Sequence, residues 1–309
     1  MHIYSTCGIY YIQENDVSVT GMIDRAKLAK GYITDEYLKP YAIFKSDMKD
    51  TYVDEMEICS EFEEGIEKQE FQVFYQPVVD ARTGKIVSAE ALVRWLHEQK
   101  GFISPGHFIP ALEKGGYISQ LDRYMIEKVT GCLNQRRTEG KRFVPVSVNL
   151  SWMDFYDENM LEWIVRGLKK NNQNEQKIRF EITETSLAAI GENHTRMLTH
   201  LKENGAEILL DDFGNGYSSF GMLQDYDFDI LKMDISFVRN IGVNKKSESI
   251  LRAIIDMAHQ LEIRLVAEGA ETEEQVAFLR ANGCDYIQGY YYYKPMPENE
   301  FLQLLDEGK

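Results

Sequence analysis

The sequence predicts an α/β fold, a closed eight-stranded barrel preceded by a small N-terminal α/β segment. Three observations carry that expectation. From residue 70 onward one unit recurs, a short apolar strand ending in a polar residue, then a loop, then an amphipathic helix, which is the alternation of parallel strands joined by crossovers. Eight such strands can be drawn, the number that closes a barrel. The chain has 309 residues, enough for one α/β domain of roughly 250 residues plus a smaller piece.

Residues 1 to 50 offer a strand "CGIYYI", a polar turn, a helix "VTGMIDRAKLAKG" and a second strand-like piece "YAIFK", too little for an α/β domain alone. From Thr51 to Glu70 the chain is Glu-rich with apolar residues at helical spacing, the pattern of a connecting helix. The barrel domain is then expected over 71–309. Its strands are "FQVFYQPVV" from Phe71, "SAEALVRW" from Ser88, "VPVSVNLS" from Val144 and "IRFEIT" from Ile178, followed by "EILLDD" from Glu207, "DILKMD" from Asp229, "RLVAEG" from Arg264 and "YIQGYYY" from Tyr286. Between them, "SESILRAIIDMAHQLE" reads as a helix with Ile250, Ile254, Met257 or Ala258, and Leu261 on one face behind a Ser247 cap. Another helix starts at "TEEQ", where Thr272 and Gln275 have capping-box spacing, and ends near Gly283.

Composition sets the class. A hydrophobic fraction of 44% and a charged fraction of 27% are ordinary for a globular protein. No apolar run reaches membrane-span length and the N-terminus lacks a signal peptide's pattern, so a cytoplasmic protein is expected. Cys7, Cys59, Cys132 and Cys284 are scattered without metal-ligand spacing, as reduced, buried thiols would be. A net charge of −16 argues against a duplex nucleic acid partner, yet leaves room for a small phosphate ligand if the acids first bind divalent cations.

"ILLDDFGNGYSSF" sharpens that point. Asp211 and Asp212 end a short aliphatic run, where each raises the other's pKa and desolvation adds to the cost, so the pair needs a counter-charge. Capping a helix or bonding loop amides near Gly214 and Gly216 is the alternative use of such a pair. In a parallel barrel the chemistry sits at the carboxyl ends of the strands. This chain ends its strands with Glu90, Asn149, Glu181, Asp211 and Asp212, Lys232 and Asp234, Glu268, and Gln288. Carboxylates with one amide, and neither Cys nor His, suit hard cations such as Mg²⁺ or Mn²⁺. A metal pair is therefore the expected counter-charge, with Asp211 bridging both ions and Asp212 serving the second. Lys232 could hold a water or offset phosphoryl charge, unless it forms a structural ion pair with Asp234. Strand alternation puts Arg94 on the face of Glu90, where it could grip a second phosphate; an exposed rim arginine is the alternative. The tyrosines from Tyr290 to Tyr293 read as core aromatics of a strand.

"EALVRW", "SVNLS", "FEITET", "DDFGNGYSS", "LKMDISFV", "VAEGAET" and "CDYIQGYYYYKP" resemble, in order and spacing, the motifs of EAL-domain phosphodiesterases, which open cyclic di-GMP to linear pGpG. The match runs from about Phe71 to Leu305. The resemblance implies a TIM-type (β/α)8 barrel, two Mg²⁺ or Mn²⁺ ions, inhibition by Ca²⁺, and a homodimer through the loop after Asp212. It implies that Glu90, Asn149, Glu181 and Asp211 hold one metal and Asp211, Asp212 and Glu268 the other. Lys232 would position the attacking water, and Glu184 would steady the loop from Gly214 to Ser219. Gln76, Leu92, Arg94, Asp234, Glu271, Gln288 and Pro295 would line the substrate site. Asn215, Glu98, Ile235, Ala270 and "YYYYKP" depart from the family pattern without deleting a ligand. Asn215 puts rate and regulation in question more than chemistry.

The first 50 residues are similar to the tail of a GGDEF domain, without the signature loop that would carry cyclase activity, so a fragment of a longer sensor or a natural remnant is expected. Three functions compete: a metal-dependent hydrolase of cyclic di-GMP, a catalytically silent cyclic di-GMP receptor, and an unrelated metal-dependent barrel lyase.

Overall fold

A computed structural model describes residues 5–14, 16, 18–33, 39–171, 178–190, 194–214 and 219–308. It forms two compact units, Met1–Lys68 with Gly106–Gly115, and Gln69–Pro105 with Gly116–Lys309.

In the first unit, β1 (Cys7–Ile9) pairs in parallel with β2 (Tyr41–Ile43), the direction a helical crossover imposes. That crossover contains α1 (Val19–Lys30), started by Ser18, whose hydroxyl accepts from Gly21 N. α1 lies against β1 so closely that a Cβ on Gly8 would fall 1.7 Å from Ala26 O. α2 (Ser46–Glu67) turns Ile58, Phe62 and Gly65 inward at helical spacing. The Gly106–Gly115 stretch of α3 (Pro105–Gly115) lies beside it, with Cys59 Sγ donating to Ala111 O and Lys114 paired with Glu55.

The second unit is the barrel. Its strands are β3 (Phe71–Asp80), β4 (Ile86–His97), β6 (Val146–Asn149), β7 (Ile178–Thr183), β8 (Glu207–Phe213), β9 (Ile230–Met233), β10 (Arg264–Glu268) and β11 (Tyr286–Gln288). They close in that order, β11 returning to β3, with β5 (Gly101–Ile103) and β12 (Met296–Pro297) as short additions on β4 and β3. The eight strands drawn from the sequence are all present. One expectation fails: the strands are not all parallel, because β3 runs antiparallel to both β4 and β11. The cause is length. Only residues 81–85 separate β3 from β4, and Asp80 closes them as a hairpin by accepting from Thr83 N while Asp80 N donates to Lys85 O. A crossover to a parallel strand needs about a dozen residues or more.

Around the barrel run α4 (Ile118–Thr138), a 3₁₀ turn at Trp152–Tyr156, α5 (Glu158–Asn171), α6 (Glu184–Ile190), α7 (His194–Glu203), α8 (Ser219–Asp225), α9 (Ile235–Arg239), α10 (Lys245–Gln260), α11 (Glu273–Ala281) and α12 (Glu298–Asp306). The capping box at Thr272 and Gln275 forms as its spacing predicts. α10 starts earlier than expected: Asn244 caps it, not Ser247, by accepting from Lys246 N and Ser247 N. Its buried stripe is therefore Leu251, Ile254, Ile255 and Ala258, while Ile250 and Leu261 are exposed. Cys132 and Cys284 are buried as expected, but Cys59 is only partly so and Cys7 is exposed; all four are free. The tyrosine cluster meets expectation in part, since Tyr292 and Tyr293 pack against the core. β11 ends at Gln288, and Tyr290 and Tyr291 stand exposed in the turn beyond it.

Strand alternation builds the barrel interior in layers. Val78, Leu209, Ile230 and Val266 form an apolar cluster inside, with Tyr286 packed against it. Two residues along the same strands come Gln76, Asp211, Lys232, Glu268 and Gln288, so the next layer up is polar. The opposite strand faces, among them Phe180, Ile182, Leu210 and Leu231, join the large core shared with the helices.

Candidate active site

The polar layer converges on one ammonium. Lys232, 2% exposed on β9, places Nζ 2.6 Å from Glu181 Oε2, 2.7 Å from Glu268 Oε1, and 3.2 Å from both Glu90 Oε2 and Asp211 Oδ1. Strands β4, β7, β8 and β10 each contribute one of these acids. Asp234 is not Lys232's partner; it caps α9 by accepting from Ser236 N at 2.9 Å.

A bulge explains the adjacent aspartates. Between Leu210 and Phe213 the pairing of β8 with β9 slips, so β8 carries one residue more than its neighbour, and Asp212 takes a left-handed φ of 56°. Asp212 N donates to Asp211 Oδ1 at 2.9 Å. Both carboxylates thus leave the same strand end, Asp211 toward Lys232.

Beside this cluster Gln288 Nε2 donates to Glu90 Oε2 at 2.6 Å and to Gln76 Oε1 at 3.2 Å, and Gln76 Nε2 donates to Tyr293 O at 3.3 Å. Asn149 Nδ2 reaches Glu90 Oε1 at 3.4 Å. Leu92 and Arg94 continue the inward face of β4, and the Arg94 guanidinium lies 5.8 Å over the Phe74 ring. Burial lowers the Arg94 pKa, which Tyr290 and Glu90 oppose; the side chain is half-buried, not a freely exposed rim arginine. Glu184 is buried at the start of α6. Glu271 is exposed, its backbone N donating to Gln275 Oε1, and Pro295 is half-buried just before β12. Asn215 and the loop 215–218 lie outside the described residues.

Four carboxylates share one ammonium, and the imbalance shows. Burial, and then Glu90, hold Glu181 well above the carboxylate range against the pull of Lys232. Glu268 is pushed up to about 8, first by burial. Burial and Asp211 raise Asp212. Burial pushes Glu90 up too, but Lys232 and Gln288 outweigh it and leave Glu90 below its ordinary value. Burial works against the Lys232 ammonium, and the acids overcome it.

The expected counter-charge is thus met in part by Lys232. Among the described residues no group of three Asp, Glu, His or Cys side chains is disposed to hold a metal ion as it stands, because the ammonium takes the point where the carboxylates meet. The donor set still fits hard dications. It consists of oxygen ligands in excess negative charge, and beside it Gln288 Oε1 is buried without a hydrogen-bond partner among the described residues.

Asp122 of α4 and Asp154 of the 3₁₀ turn carried no signal in the sequence. Both are buried, and both accept from Ser151 N, at 3.2 and 2.9 Å, two residues beyond Asn149.

A family model described as EAL domain matches residues 60–295. The chain is 32% identical over 243 residues to the cyclic di-GMP phosphodiesterase NbdA of Pseudomonas aeruginosa, covering 79% of this chain and 31% of that one. It is 33% identical over 240 residues to the probable cyclic di-GMP phosphodiesterase PdeG of Escherichia coli K12, covering 78% and 47%. The solved structure of PaMucR phosphodiesterase in complex with c-di-GMP matches with a TM-score of 0.73 and 30% identity, over 79% of this chain and 99% of that one. The chain spans between 28% and 47% of the length of eight curated relatives that it matches.

Proposed function

The chain belongs to the EAL domain family, and from that membership we propose that it hydrolyses cyclic di-GMP to linear pGpG with divalent metal ions. The observation that carries the reading is the convergence of Glu90, Glu181, Asp211 and Glu268 at one mouth, in excess over the single Lys232 that joins them. Glu90, Asn149, Glu181 and Asp211 would hold one Mg²⁺ or Mn²⁺ and Asp211, Asp212 and Glu268 a second, supplying the positive charge that clamps a phosphodiester and makes a bound water acidic. Lys232 orients that water and offsets charge developing on the phosphoryl oxygens. Glu268, pushed up to about 8 in the metal-free chain, would give up that proton on taking the second ion, so metal binding should strengthen as pH rises toward that value. Arg94, on the inward face of β4, grips the other phosphate in bidentate fashion. Gln76 and Gln288, tied to each other and to Glu90, offer amides to the bases, with Leu92, Asp234, Glu271 and Pro295 around them. Glu184 steadies the loop after Asp212, through which two copies would dimerise. The first 50 residues are read as a GGDEF-like tail without cyclase activity.

Incubation with cyclic di-GMP and Mn²⁺, with and without EDTA, followed by chromatography, tests this. Turnover to pGpG is expected with Mn²⁺, and none with EDTA. Glu90→Ala should lower kcat at least about 100-fold, the loss typical of a group acting directly on the transition state; an active Glu90→Ala enzyme would sink the reading. One observation favours a second reading, a receptor that binds without cleaving: the ammonium at the centre of the acids already neutralises part of their charge. Tight binding without turnover across several metals would select it.

A further inference from the structure

One five-residue helix touches both acidic arms of the site. α9 starts three residues after Lys232, capped by Asp234. From it Ile235 and Phe237 rest on two glycines with left-handed backbone, Gly269 at φ +71° and Gly214 at φ +94°. A Cβ on Gly269 would fall 2.1 Å from Ile235 Cγ1, and one on Gly214 would fall 2.6 Å from Phe237 Cε2. Each side chain therefore fills the space a larger residue would need. Only glycine combines that φ with that close an approach.

The two glycines stand at telling places. Gly269 directly follows Glu268 on β10, and Gly214 lies two residues beyond Asp212, past buried Phe213. Asp212 itself holds a left-handed φ of 56°, a conformation that persists only where the surroundings enforce it. One short element, anchored beside Lys232, thus presses on the turn after each of the two strands that carry Asp211, Asp212 and Glu268. The aliphatic Ile235 side chain seals Gly269 without adding charge.

We propose that Phe237 and Ile235 are positioning residues, bracing Asp212 and Glu268 at the separation that a second dication needs. The inference rests on the proposed function, since the spacing matters only if those acids share a metal. Neither side chain touches the ion; they act through the backbone of the two turns.

Mn²⁺ binding to the full chain, followed by electron paramagnetic resonance of the free ion, is the test, run beside thermal unfolding and steady-state hydrolysis. Phe237→Ala should weaken Mn²⁺ binding about tenfold, the lower end for groups that orient metal ligands. The Mn²⁺ concentration for half-maximal rate should rise by the same factor, while KM for cyclic di-GMP at saturating Mn²⁺ stays within about twofold. Phe237→Tyr should restore binding, and Ile235→Ala should weaken it in the same direction. A folded Phe237→Ala protein with unchanged Mn²⁺ affinity overturns the proposal. If Phe237→Ala does not fold, Phe237→Leu and Ile235→Ala decide, and unchanged affinity in both overturns it. Wild-type chain that binds Mn²⁺ but leaves cyclic di-GMP intact removes the hydrolase reading alone, because the bracing is still read by binding. Wild-type chain that binds no Mn²⁺ removes both.

Discussion

Lys232 keeps a charged ammonium, 2% exposed, among four carboxylates that each lie within 3.2 Å. Removing the cation would leave buried acids unpaired, so Lys232→Met should lower the stability of the metal-free protein by about 3–5 kcal/mol, measured by urea unfolding in EDTA. The acids themselves were legible one by one as polar strand ends. What the sequence hid was their common partner: Asp234 was the nearer candidate in the chain, but β9 ends at Met233, so Lys232 points inward from the strand while Asp234 lies past its end and caps α9. Asp122 and Asp154 were invisible, because nothing in an amphipathic helix or a 3₁₀ turn marks which acid will be buried. Burial, and then Asp154, hold Asp122 well above the carboxylate range. The folded state therefore keeps a proton that the unfolded chain releases above about pH 4. Stability is full below that pH and falls as pH rises toward the folded-state value. Asp122→Asn, which can still accept from Ser151 N and can donate to Asp154, should remove this decline. It should be more stable than wild type by about 1–3 kcal/mol at pH 8 and equal to it near pH 4; parallel pH profiles for the two proteins would refute this.

Strand positions were the most legible elements, since each is a short β-branched or aliphatic run closed by a polar residue. Their direction was less so. "DARTGK" between β3 and β4 is too short for a crossover, and counting it would have revealed the reversed strand. α10 shows how a cap shifts a face: Asn244 and Ser247 are both good N-caps, and the choice of the earlier one moves Ile250 to the surface. Close approaches between elements cannot be read from a sequence, and they invite direct tests. A Cβ on Gly289 would fall 2.2 Å from Ala270 O and 2.4 Å from Ala270 N, where β10 and β11 end side by side. Gly289→Ala should cost about 1–3 kcal/mol of stability. Gly131, in the middle of α4 with nothing within 4 Å of its would-be Cβ, is the contrast: Gly131→Ala should stabilise by about 0.5–1 kcal/mol. Equal effects at the two glycines in urea unfolding would contradict the packing described.

For the whole molecule, a net charge of −16 and a buried knot of acids mean that dications should stabilise the fold as well as serve its chemistry. At about 100 times Kd, Mn²⁺ should raise Tm by about 5–10 °C, and EDTA should reverse the shift. An unchanged Tm would mean that the acids do not take up the ion. No helix among the described residues is long and apolar enough to cross a membrane. The reversed β3 has a consequence at this scale. In an ordinary parallel barrel the chain enters at the sealed floor, far from the chemistry. Here Phe71 comes in beside the end of β4, paired with Trp95, and the strand then descends past Gln76 opposite Glu90. Any lever attached ahead of Phe71 would pull on the rim of the cup and not on its base, so a tug transmitted along the backbone would reach the amide that touches Gln288 within six residues.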